Sequence, residues 1–126
     1  MSVDKELPEI SLSQTFSYWA SDLRVDDVPE AVRQATSNAL LDFAGLCVSA
    51  RDENYMHAMF AAAGEPGCCT AIGHVGSFDA GSAALVGGTA AHGEDYDDTF
   101  EGTPVHTGAV ILPAILAAGE RFGFSG

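Results

Sequence analysis

Glu94, Asp95, Asp97, Asp98 and Glu101 crowd one short stretch bounded by His92 and His106, and no lysine or arginine lies between Arg51 and Arg121 to balance them. Left to itself, such a cluster repels itself. A solvated acidic loop is the plainest account, since runs of like charge usually face water. Three kinds of chemistry compete with it. Asp95 and Asp97 alternate as the oxygen ligands of a calcium loop do, but Phe100 stands where the sharp turn needs glycine and His106 where the bidentate glutamate belongs. His92, His106 and a carboxylate have the right chemistry for a transition metal, although their spacing matches no specific motif. In general acid/base chemistry, a carboxylate orients an imidazole whose ordinary pKa already lies near neutrality. For that, the partners must meet in space. Asp95 follows one predicted helix and His106 precedes the next, so a loop folding back between antiparallel helices would bring them together at a helix N-terminus.

Other reactive side chains offer less. His57 lies three residues from Phe60 on a predicted helix and reads as a surface or core histidine, and His74 sits among glycines with no nearby carboxylate in sequence. Cys47 falls in an apolar helical pattern. The neighbours Cys68 and Cys69 could bridge each other only with strain, so the three cysteines make no disulfide framework and read as small buried hydrophobes. The glycine spacing fits no phosphate loop, dinucleotide fingerprint or nucleophile elbow.

The elements that must position the loop are helical. Leu12, Phe16, Trp19, Ala20 and Leu23 recur at helical spacing behind the candidate caps Ser11 and Ser13, which predicts a first helix to about Arg24. Asp26-Asp27-Val28-Pro29-Glu30 opens a second, running to about Ala50 with Val32, Ala35, Ala39, Phe43, Leu46 and Cys47 as its buried face. A third spans about Glu53 to Ala63, stopped by Gly64 and Pro66-Gly67. Cys68 to Ile72 reads as a short extended segment before a glycine turn. Ser77 is expected to cap a fourth helix whose alanines and Gly87-Gly88 invite close approach by another backbone or a ligand, because two interior glycines cost about 1 kcal/mol each relative to alanine. The fifth runs from Ala109 to Phe122, with a kink expected at Pro113. The fold class expected is all-α.

Composition narrows the function. The 126 residues suit one domain, 1–126, of which 1–10 are expected to be flexible; a net charge of −13 repels nucleic acid and anionic lipid alike. With 47% apolar and 18% charged residues, the chain is too hydrophobic for an acidic disordered tail. The longest apolar runs fall short of the roughly 20 residues a membrane span needs. Met1 to Glu6 has no basic and apolar signal pattern, so the expected compartment is the cytoplasm.

Gly88-Thr-Ala-Ala-His-Gly-Glu-Asp-Tyr-Asp-Asp-Thr99, followed by Val105-His-Thr-Gly-Ala-Val-Ile-Leu-Pro-Ala114, resembles the MmgE/PrpD family. The Ala31 to Ala50 helix and Cys69-Thr-Ala-Ile-Gly73 are similar too, so the likeness covers about Val28 to Gly123. It implies one helical wall of an active site in a homodimeric lyase, facing a smaller α/β lid, with neither metal nor organic cofactor. By the same likeness the chain is the N-terminal piece of a longer enzyme whose catalytic lysine and second histidine lie downstream, and alone it would be inactive. The implied chemistry is removal of a proton next to a carboxylate on a small di- or tricarboxylate. A hydro-lyase of the 2-methylcitrate dehydratase kind comes first, and epimerase or decarboxylase activity is the near alternative. Carried over residue by residue, Asp95 and His106 are the catalytic positions, with His92 and Thr107 beside the substrate. Members commonly have His-Pro where this chain has His106-Thr107, and Glu101 to Val105 is an unusual approach to that histidine. From another class, a noncatalytic acidic helical module binding a basic partner through Glu94 to Glu101 remains the competing expectation.

Overall fold

The structure, a computed structural model, describes residues 10–64 and 66–124. Most of the segment expected to be flexible, 1–10, therefore lies outside the described residues. The architecture is all-α with one short strand: α1 (Leu12–Asp22), α2 (Glu30–Ser49), α3 (Asn54–Ala62), β1 (Pro66–Cys69), α4 (Ala80–His92) and α5 (Thr107–Phe122). Short 3-10 turns at Val25–Asp27 and Ala50–Asp52 flank α2. Among the described residues no helix is long and apolar enough to cross a membrane. The chain divides into two compact units, Met1–Gln34 and Ala35–Gly126.

In the first unit local bonds define α1. Ser11 Oγ accepts from the Gln14 amide at 3.2 Å while Gln14 Oε1 accepts from the Ser11 amide at 2.9 Å, a reciprocal capping box that satisfies two groups a helix start leaves open. Phe16 and Trp19 rings touch at 5.4 Å between centroids, yet α1 buries no residue and Leu12 is 89% exposed. At the start of α2 the Arg33 guanidinium donates to Glu30 at 2.8 Å and to the Val25 carbonyl at 3.2 Å.

The second unit holds the core. Phe43 and Cys47 of α2, Met56 of α3, Val86, Ala90 and Ala91 of α4, and Ala109 and Leu112 of α5 form one buried cluster. Of the buried face expected for α2, Phe43 and Cys47 are buried and Ala39 and Leu46 are half-buried, whereas Val32 and Ala35 are exposed. The Cys47 thiol contacts the Gly87 carbonyl at 3.6 Å, and burial pushes its pKa up to about 11, so it stays neutral. Cys69 is buried as well. Cys68 is exposed, contrary to its expected place in the core, because strand alternation turns it to the opposite side.

Helices α4 and α5 run in opposite senses, since Ala83 shares a buried cluster with Ala117 while Gly88 lies against Ala109. Their approach depends on glycine. A Cβ on Gly87 would stand 3.0 Å from Pro113 and 3.3 Å from the Phe43 ring, and one on Gly88 would stand 2.9 Å from the Ala109 carbonyl oxygen. That carbonyl is the one whose helical donor Pro113 lacks, so α5 turns its unpaired backbone group toward the position where α4 has no side chain.

Several boundaries differ from the sequence expectation: α1 ends at Asp22 rather than about Arg24, and α5 begins at Thr107 rather than Ala109. The cap of α4 is Asp79, not Ser77: its carboxylate accepts from the amides of Gly81 at 3.0 Å and Ser82 at 3.1 Å. Hydrogen bonds from Ser82, side chain first, hold the Asp79 carboxyl below the usual carboxylate range. The extended segment is Pro66–Cys69 rather than Cys68 to Ile72. Pro66 and Cys69 bridge to Phe78, Gly67 fits because a Cβ would collide with the Phe78 backbone, and beyond the strand the Glu120 carboxylate takes the Thr70 amide.

Candidate functional site

The chain between α4 and α5 is fastened at both ends. At the α4 end the Asp95 amide donates to the His92 carbonyl at 3.0 Å, and Asp95 adopts φ +56°, a left-handed conformation that aspartate tolerates better than most residues. Gly93 lies against Tyr55 so closely that a Cβ would fall 2.4 Å from its ring. At the α5 end Asp98 accepts from the Thr107 hydroxyl at 2.6 Å and the Gly108 amide at 2.8 Å, capping the helix; a Cβ on Gly108 would sit 2.3 Å from that carboxylate. Between them the Phe100 amide donates to Val105 at 2.8 Å and the Thr103 amide to Phe100 at 3.1 Å, closing a turn through Gly102 at φ +84°.

This fastening brings His92, the last residue of α4, beside His106, the residue that precedes α5. Their rings lie 4.6 Å apart at 57°. Asp97 fits between them with its side chain 2% exposed. Its carboxylate accepts from His92 Nδ1 at 3.0 and 3.3 Å, and its Oδ1 lies 3.1 Å from His106 Nδ1. The second contact is off the hydrogen-bond angle, which leaves His106 Nδ1 buried without an aligned partner. On its other side His106 Nε2 lies 3.7 Å from Asp95 Oδ1, and Asp95 is 79% exposed. The hydrogen bond to the Asp97 carboxylate raises the His92 pKa above its ordinary value, against a smaller opposing effect of burial; the charges of Asp97 and Asp95 add to the rise.

The structure thus brings Asp95, His106 and His92 together, while Thr107 has its hydroxyl engaged in the helix cap. The sequence offered Asp97 only as a calcium-loop ligand and did not mark it as the partner of the two histidines. Asp98, one residue on, offers the same chemistry from the same run, and only the fold decides which of the two turns inward. His92 also lines an open groove of about 540 Å³ with Ala84, Leu85, Gly88, Thr89, Gly93 and Ala109. Donor atoms of His92, Asp95, Asp97 and His106 all lie within 4.8 Å of one another, a set whose types suit a divalent cation. The same atoms already meet at hydrogen-bond and ion-pair distances, which is what acid/base chemistry asks of them.

Elsewhere, His57 is exposed. The His74 ring stands edge-on to Phe60 at 4.6 Å, where burial lowers its pKa. The Asp52 charge, distant in sequence, opposes that fall in part. Tyr55 carries a raised pKa, from burial first and the Glu94 charge second.

The chain is 30% identical over 123 residues to the cis-aconitate decarboxylase-like protein oryM of Aspergillus oryzae, covering 95% of this chain and 26% of that protein. It is 32% identical over 107 residues to cis-aconitate decarboxylase of Aspergillus terreus, covering 82% of this chain and 22% of that enzyme. The chain therefore spans about a quarter of the length of the curated relatives it matches. No solved structure matches it significantly. The model of the MmgE/PrpD N-terminal domain matches residues 14–126, nearly all of the sequence and all of the loop that carries the paired histidines, and the chain belongs to the MmgE/PrpD family.

Proposed function

We propose that this chain forms the N-terminal part of a lyase that needs neither metal nor organic cofactor and moves a proton at a carbon next to a carboxylate of a small di- or tricarboxylate. The observation that carries the proposal is His106, whose Nε2 faces Asp95 at 3.7 Å while its Nδ1 faces Asp97 at 3.1 Å. In the proposed cycle His106 shuttles the proton, and Asp95 orients it or serves as the carboxylic-acid partner. A polycarboxylate cannot settle beside this acidic loop without cations, and none is supplied by the sequence between Arg51 and Arg121. The remainder of the enzyme supplies them, in a homodimeric cytoplasmic protein, and the isolated chain is inactive.

Decarboxylation and dehydration both fit this proton transfer. The relatives' names favour decarboxylation of cis-aconitate, in which the carbon–carbon bond to the departing CO₂ breaks, its electrons shift the double bond, and a proton adds to the far alkene carbon, which bears another carboxylate. The loop motif itself fits dehydration of a 2-methylcitrate-like hydroxy acid equally well. The full-length protein, incubated separately with cis-aconitate and 2-methylcitrate, is expected to release CO₂ from the first or water from the second. Turnover of neither acid, nor of any related polycarboxylate, by a folded full-length protein would overturn the proposal.

A further inference from the structure

The buried carboxylate between the two rings is not needed by a mechanism that uses only Asp95 and His106. Asp97 is the most buried acidic group of the loop, and both imidazoles turn the same nitrogen, Nδ1, toward it. A carboxylate can accept from both at once, and a neutral imidazole that donates from Nδ1 must keep its lone pair on Nε2. We propose that Asp97 is a positioning residue that fixes His92 and His106 in matching tautomers, so that the two present Nε2 to one substrate as an acid/base pair. The inference rests on the lyase reading above and deepens it by making His92 the second proton-transfer group.

Geometry supports each part. The His92 side chain is 51% exposed and lines the groove of about 540 Å³, whereas His106 is 19% exposed, so one ring meets solvent and the groove while the other is sheltered. With the rings 4.6 Å apart, a substrate carbon and its neighbouring atom can face one nitrogen each. The misaligned contact from His106 Nδ1 to Asp97 needs only a small ring rotation to become a hydrogen bond, of the kind that tightens when substrate binds. The other charged group at the pair is Asp95 on the same loop, which approaches His106 from its Nε2 side. Asp98 is held by the α5 cap, and Glu94 acts on Tyr55 of α3.

The test uses the full-length protein. Nitrogen-15 spectra without substrate should show both histidines with the proton on Nδ1 when neutral, and Asp97→Asn should move His106 off that tautomer. The same variant should lower kcat on the order of 10–100-fold with little change in KM, as loss of a carboxylate that orients an imidazole does elsewhere. Asp97→Glu should restore part of the loss. If Asp97→Asn fails to fold, His92→Gln serves instead, with a similar fall in kcat and the His106 tautomer unchanged. Protons on Nε2 in the wild-type spectra, wild-type kcat in Asp97→Asn, or wild-type kcat in His92→Gln would each overturn the inference. Full activity of His106→Ala would instead remove His106 from the reaction, and absence of turnover by the wild-type protein would remove the lyase reading; in either case the wild-type tautomers would still report whether Asp97 holds the rings.

Discussion

Helices α1 and α4 carry apolar residues at the same helical period and reach opposite outcomes. In α1 the apolar residues are large, no residue is buried, and the contacts include the capping box, local hydroxyl bonds from Thr15 and Ser21, and one pair of rings. In α4 the apolar residues are mostly alanine and glycine, and they are enclosed by Phe43, Leu112 and Pro113. An isolated helix shorter than about 12–15 residues is marginal in water, so α1, with 11, depends on its cap, while α4 depends on the surfaces around it. The lesson is that size and shape of the partner surface, not hydrophobic content, decide which helix can hold a side chain of the candidate site at its end. His92 ends the packed helix.

The contrast can be broken most forcefully in the core. Phe43→Ala should cost about 3–5 kcal/mol in urea unfolding, whereas Leu12→Ala should change stability by no more than about 0.5 kcal/mol. Equal effects would mean that α1 is packed in solution. Gly88→Val should cost about 1–3 kcal/mol or more, because its branches would press on the Ala109 carbonyl, and backbone yields less readily than a side chain. An unchanged midpoint would show that α4 and α5 can separate without loss. Ser11→Ala should remove about 1 kcal/mol, read as faster amide exchange confined to α1. Faster exchange in α4 as well would contradict the division.

The smallest effect concerns pH. The His92 pKa is raised on folding, so its contribution to stability is fully present below about 6.5, the ordinary histidine value, and is lost as pH rises through the higher folded value. Half exposure to solvent keeps that contribution small. Proton NMR should find His92 titrating above the ordinary value and Asp97→Asn lowering it; no change in the variant would remove the hydrogen bond as the cause.

Much of the helical order was legible in the sequence because helical period and capping are local signals. Ser11 at the start of α1, the proline-led start of α2 and the end of α5 near Gly123 all announce themselves within a few residues. Elsewhere local signals did not choose: Ser77 was expected as the cap of α4, whereas the amides of Gly81 and Ser82 bond to the carboxylate of Asp79, two residues on. The same ambiguity governs the site. His92, Asp95 and His106 stood out by type and by motif, but Asp97 and Asp98 are adjacent and chemically alike. Which one turns between the histidines depends on the tether that Gly108 and Thr107 place on Asp98. Val32 and Ala35 were misjudged for a related reason, since helical spacing marks a stripe without saying how much of it is buried.

The central claim is that His106 and Asp95 act on the substrate's proton, and solvent-deuterium incorporation at the substrate carbon by the full-length enzyme tests it most directly. Asp95→Asn and His106→Ala should each lower incorporation at least 100-fold while the circular dichroism spectrum and melting temperature stay within error of wild type. Wild-type incorporation in either variant would contradict the account.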